Sequence, residues 1–168
     1  MNYSKALNEC IESAYMVASH FGARYLESWH LLIAMSNHSY SVAGATLNDY
    51  PYEMDRLEEV ALELTETDYS QDETFTELPF SHRLQVLFDE AEYVASVVHA
   101  KVLGTEHVLY AILHDGNALA TRILERVGFS YEDKKDQVKI AALRRNLEER
   151  AGWTREDLKA LRQRHRTG

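Results

Sequence analysis

The stretch "GTEHVLYAIL", Gly104 to Leu113, sets a carboxylate and an imidazole at the start of an apolar helical run. Upstream, "ESWHLLIAM", Glu27 to Met35, repeats the pattern, keeping the histidine but carrying Trp29 in place of Glu106. Sliding the chain on itself by 77 residues extends this match in both directions without a gap. Ser4 falls on Ser81, Leu7 on Leu84, Ala14 on Ala91, and Val17, Ala18 and Ser19 on Val94, Ala95 and Ser96; in all, 13 identities lie between positions 4 and 47. Helical composition inflates apolar matches, but the unbroken register and the paired serines and histidines indicate an internal duplication.

Around this repeat the dominant hydrophobic period is 3.6, and strand-like alternation is nearly absent. Leu84, Leu87, Phe88, Ala91, Val94, Ala95 and Val98 form one stripe, and Leu7, Ile11, Ala14, Ala18 and Phe21 another. Polar residues suited to N-capping precede the runs at Ser4, Ser28, Ser81, Thr105 and Thr154. These signals predict helices at about 4–20, 28–37, 42–49, 53–64, 81–98, 105–115, 118–128, 131–149 and 154–166. The segment "TETDYSQDETFTELP" is acidic and aperiodic and reads as a linker ending at Pro79. The expected fold is all-α, with two pseudo-twofold-related four-helix repeats at 1–64 and 80–149, the linker at 65–79, and a C-terminal helical extension at 150–168.

Composition narrows the function classes. The chain has 168 residues, 45% apolar and 27% charged, the balance of a soluble globular domain. No apolar run approaches the 18 or so residues of a membrane span, and the N-terminus lacks the basic and apolar regions of a secretory signal. A single cysteine, Cys10, sits in a helical stripe and reads as a buried thiol, consistent with a reducing, cytoplasmic compartment. Residues 1–131 carry 7 Lys and Arg against 20 Asp and Glu, a balance of −13, whereas residues 132–168 carry 11 against 7. An acidic body disfavours nucleic acid and suits cationic or peptide-like partners. The tail interleaves both signs at helical spacing, the pattern of a solvated or partner-packing helix.

His30 and His107 read as partly buried imidazoles bonded to backbone or cap, because both copies keep them. The eight histidines are scattered and no metal-ligand spacing is present, so no metal site is expected. Glu106 is more informative. A carboxylate at the second position of a helix is stabilised by the macrodipole, but its counterpart Trp29 shows that the architecture does not require an acid there. Ser81 and Arg83 have counterparts Ser4 and Ala6, so the second repeat offers hydroxyl, guanidinium and carboxylate. Together with helix N–H groups, these suit a zwitterionic ligand such as a phosphorylated guanidinium. The alternative is a plain Arg83–Glu106 surface salt bridge, and the sequence alone does not separate the two.

At these residues the chain resembles the double-repeat N-terminal domain of ClpC-type AAA+ unfoldases. The carrying motifs are the helix openings "YSKAL" at Tyr3 and "FSHRL" at Phe80, the second-repeat "GTEHVLYAIL", its degenerate first copy "ESWHLLIAM", and "GNALATRILERVGFS" from Gly116 to Ser130. The resemblance covers about residues 3–140. It implies a module that recruits substrates and adaptor proteins to a hexameric unfoldase feeding the ClpP peptidase, with recognition of phosphoarginine-tagged proteins. Carried over by position, the binding residues are Ser81, Arg83, Thr105 and Glu106, with Ser4 and Trp29 as a degenerate first-repeat counterpart. One phosphoarginine site, or none, is then expected rather than two.

None of the seven glycines is followed by Lys, so no P-loop is present and no cofactor is expected in this chain; ATP and magnesium would belong to ATPase modules elsewhere in a full-length protein. The expectation is a monomeric binding module rather than an enzyme, free of nucleic acid and membrane. The tail reads as cut soon after a helix, as in a fragment of a longer protein. Ranked below this are a stand-alone accessory protein of the same fold and a helical-bundle enzyme or metal carrier.

Overall fold

The computed structural model describes residues 1–49, 56–65, 77–115, 118–127 and 140–167, with side chains to Gln163 in the last segment. The described residues form nine helices: α1 (Lys5–His20), α2 (Ser28–Ser36), α3 (Val42–Asn48), α4 (Leu57–Thr65), α5 (His82–Val97), α6 (Thr105–His114), α7 (Leu119–Val127), α8 (Ile140–Ala151) and α9 (Arg155–Thr167). The all-α expectation holds. Most of the predicted linker, and the parts of the fourth and eighth predicted helices at 53–55 and 131–139, lie outside the described residues.

The two long hairpins, α1–α2 and α5–α6, start and turn alike. Ser4 and Ser81 each cap their helix by accepting the N–H of the residue three along, at 3.1 Å in both cases. At the turns, Gly22 (φ 64°) and His99 (φ 59°) occupy the same left-handed position, 77 residues apart. The following N–H groups reach back to matching carbonyls, Ala23 to Ala18 at 3.0 Å and Ala100 to Ala95 at 2.9 Å. This αL closure of a helix C-terminus is native to glycine; His99 holds it at a steric cost.

The repeats are joined by a reciprocal exchange. Ser4 N–H donates to the Leu103 carbonyl (2.8 Å) and Leu103 N–H to Asn2 (2.8 Å); at the equivalent place Ser81 N–H donates to Leu26 (3.0 Å) and Leu26 N–H to Pro79 (2.9 Å). Each repeat's opening is therefore stitched to the other repeat's α2 or α6 start. The later helices cross as well: α3 packs on α8, α4 on α7, α2 on α7 and α3 on α6. Two ion pairs also cross between the repeats, from equivalent positions of opposite charge to partners that are not equivalent. Asp49 pairs with Arg150, and its repeat counterpart Arg126 pairs with Glu63 at 3.9 Å. This is the pseudo-twofold arrangement the duplication implies, but interlocked: one continuous apolar core runs from Leu7 to Leu161 through both halves.

α8 closes the second repeat against α6, with Glu148 enclosed at 7% exposure, and the C-terminal extension docks on the same repeat through α9, which packs on α5 and buries Leu161. Burial raises the Glu148 pKa, and Arg162, Arg144 and Arg145 oppose the rise. Thr154 begins α9 with a reciprocal cap, its hydroxyl accepting from Asp157 N–H (3.1 Å) while the Asp157 carboxylate accepts from Thr154 N–H (2.9 Å).

Candidate functional site: the mouths of α2 and α6

Both helix mouths are built on a buried histidine. His30 Nδ1 accepts from Glu27 N–H at 2.9 Å, and His107 Nδ1 accepts from Gly104 N–H at 2.8 Å. Because Nδ1 is an acceptor, each ring is the neutral Nε2–H tautomer. Burial holds both well below the ordinary imidazole range, His30 at about 3 and His107 at about 4. The histidines thus secure the chain entering each helix. Two expected caps sit one residue further in: the N-cap positions are Glu27 and Gly104, with Ser28 and Thr105 as first helical residues. Thr105 is buried, and its hydroxyl accepts from Ala43 N–H (3.2 Å) at the start of α3. That hydroxyl ties the repeats together.

Glu106 leaves 20% of its side chain exposed. Its carboxylate folds back over the N-cap: a Cβ on Gly104 would stand 1.9 Å from Oε1. Glycine is required at 104 for this close approach, since its φ of −111° is open to any residue. Burial raises the Glu106 pKa, and its own backbone N–H counteracts that. Oε1 lies 3.4 Å from His107 Nδ1, but the neutral ring presents a lone pair there, so this contact is no ion pair.

The mouth of α2 uses the same backbone differently. Trp29 is 6% exposed, set edge-on against Phe21 (centroids 4.7 Å, 90°) and 3.9 Å from the His30 ring. Phe21 has Val98 as its counterpart, so the first repeat closes its mouth with an aromatic pair the second lacks. With residue 29 packed inward, residue 27 carries a side chain: Glu27 Oε2 accepts from the Trp29 indole N–H at 3.1 Å. Each mouth therefore holds one carboxylate, shifted by two positions. Sequence comparison overlooked Glu27 because it aligned residues one to one, although "ESWH" and "GTEH" each contain a single Glu. In the second repeat the indole beside the histidine comes from the tail, Trp153 lying parallel to His107 (6.1 Å, 14°).

The backbone exchange groups the candidate residues differently from the resemblance. Ser4 belongs with Leu103 at the mouth of α6, and Ser81 with Leu26 at the mouth of α2. Arg83 is exposed and lines a groove with Ala111 and Asp115, towards the far end of α6. The site around Glu106 is accordingly made by the second repeat's acid and the first repeat's helix opening. Among the described residues, no group of three or more His, Cys, Asp and Glu is placed to hold a metal ion, and no helix is long and apolar enough to cross a membrane.

An all-α pseudo-dyad with paired hairpins and histidine-anchored helix mouths defines a duplicated helical binding domain. The Clp repeat (R) N-terminal domain family matches residues 2–127, and the chain belongs to that family. Among solved structures, the chain is similar to the N-terminal domain of the chaperone ClpD from Arabidopsis thaliana (16% identity, TM-score 0.68, covering 90% of this chain and 95% of that one). It is also similar to the Hsp104 N-terminal domain from Candida albicans (17% identity, TM-score 0.67, 94% and 96%). A structure from work on a malarial protein secretion system matches at 21% identity and TM-score 0.63, covering 89% and 97%. No curated protein matches the chain.

Proposed function

We propose that this domain recruits protein substrates and adaptors to a ClpC-type AAA+ unfoldase, and that the mouth of α6 recognises phosphoarginine-tagged chains. Family membership supports the recruiting role. The observation carrying the finer reading is Glu106, a part-exposed carboxylate at a helix N-terminus, set by backbone pairing beside the opening of α1 at Ser4. A guanidinium would meet the carboxylate, and its phosphate would meet the N–H groups at the start of α1. The mouth of α2 is closed by Trp29, so binding is at one site. In this reading the ATP- and magnesium-dependent steps and the coupling to ClpP belong to ATPase modules of a cytoplasmic hexamer, and the domain alone is a monomer and not an enzyme.

Calorimetry with free phosphoarginine tests the site. Wild type is expected to bind with one-to-one stoichiometry, Glu106→Ala at least about ten-fold more weakly, the loss of a charge-assisted hydrogen bond, and Glu27→Ala as wild type. Equal heats for wild type and Glu106→Ala would overturn the assignment.

A further inference from the structure

The outer faces of α1 and α5 show two different degrees of drift between the repeats. On one flank the equivalent positions have changed in kind: Ala6 is matched by Arg83, Glu9 by Val86 and Ser13 by Glu90. On the adjacent stripe, exposed along its whole length, they have not. Lys5 is matched by His82, Asn8 by Gln85, Glu12 by Asp89 and Met16 by Tyr93. Base, amide, acid and large apolar group recur in the same order, although surface positions tolerate change at little cost to the fold. Among the described residues, none of Lys5, Glu12, His82 and Asp89 takes part in an ion pair.

The stripe is also complementary to itself. Base and acid stand two helical turns apart, about 10.5 Å, with the amide near the midpoint. Laid antiparallel on a second stripe, each base meets an acid and amide meets amide; laid parallel, like charge meets like. We propose that α1 of one copy of this chain packs antiparallel on α5 of a neighbouring copy, Lys5 against Asp89 and Glu12 against His82. Asn8 and Gln85 meet between them; Gln85 Nε2 donates to the Phe80 carbonyl at 3.2 Å, so the Asn8 amide donates to the Gln85 oxygen. Pairing α1 with α5 occupies both stripes of every copy, which accounts for their joint retention and makes the contact run head to tail, the type that closes into rings. Two exposed ion pairs give a weak contact. The domain is therefore a monomer when dilute, and the pairing is populated where copies are held side by side at high effective concentration. This surface is separate from the mouth of α6 and does not depend on the ligand assigned there.

The test is sedimentation equilibrium of the whole chain from micromolar to millimolar concentration. Wild type is expected to associate reversibly towards the millimolar end, and less so at high ionic strength. Lys5→Glu sets two carboxylates against each other and is expected to weaken association roughly ten-fold, a like-charge contact replacing an ion pair. Adding Asp89→Lys to the same chain re-pairs the contact in reverse and is expected to restore association. Adding Glu12→Lys instead makes both contacts repulsive and is expected to abolish it. All three positions are exposed, so these changes leave the fold intact. A wild type that stays monomeric throughout overturns the proposal, as does Lys5→Glu associating like wild type. Rescue of Lys5→Glu by Glu12→Lys rather than by Asp89→Lys would mean that α1 pairs with α1, and would overturn the head-to-tail assignment.

Discussion

The mouths of α2 and α6 share a backbone and an anchoring histidine but divide two other tasks in opposite ways. At α2 the indole beside the histidine comes from the adjacent residue, Trp29, and the carboxylate from the N-cap, Glu27. At α6 the indole comes from the tail, Trp153, and the carboxylate from Glu106, lying over a bare Gly104. Taking its aromatic cover from the α8–α9 connection, outside the duplication, leaves the second position of α6 open to a polar residue. The difference teaches that the histidine belongs to the fold, while the acid's location is adjustable and decides which mouth stays accessible.

The histidines should dominate the pH response. Both have folded pKa values below the ordinary 6.5, so from pH 6.5 downward the unfolded chain takes up protons that the folded chain refuses. Their contribution is intact above pH 6.5 and is lost as pH falls towards 4 and then 3, each unit removing up to about 1.4 kcal/mol per histidine. Glu106 and Glu148 act oppositely, since raised carboxyl pKa values disfavour folding above the ordinary range. Urea titrations between pH 7 and 4 should show a falling midpoint, and His107→Gln, retaining an acceptor without a titrating ring, should flatten the slope. An unchanged slope in that variant would separate His107 from the effect.

Next in size is Gly104→Ala, whose new methyl meets the Glu106 carboxylate head-on. A loss of about 1–3 kcal/mol is expected, the usual range for overpacking. The same change in a Glu106→Ala background should be much milder, because nothing then occupies the space, and additive losses would contradict the geometry. The turns give the smallest contrast. His99→Gly should stabilise by up to about 1 kcal/mol and Gly22→Ala destabilise by a similar amount, both read from thermal unfolding. A destabilising His99→Gly would mean that the imidazole makes a contact outweighing its backbone strain.

Much of this organisation was legible in the sequence. The helix hairpins followed from the 3.6 period, and the duplication from a gapless register that kept both buried histidines. What escaped was whatever depends on the dyad rather than on neighbours along the chain. Local pattern shows that α3 has an apolar face but not that α8 covers it, and it groups Ser81 with Glu106 when the exchange sets Ser4 there. Ser28 and Thr105 looked like N-caps because hydroxyls usually serve that way, but with histidine holding the N-cap N–H, the cap itself shifted one residue back to Glu27 and Gly104. Trp29 stood out only as the residue replacing Glu106, and its edge-on seat against Phe21, which no local pattern shows, makes it core.

The crossed stitching of residues 2–4 to Leu103 and of 79–81 to Leu26 has an ancestral implication. A single unit of this kind would leave its opening segment unpaired and one side of its third and fourth helices uncovered, and a second identical unit supplies both through a self-complementary twofold contact. The founding gene product is therefore best pictured as a homodimer, and fusion of its two copies freed the pair from dilution and from the obligation to stay alike.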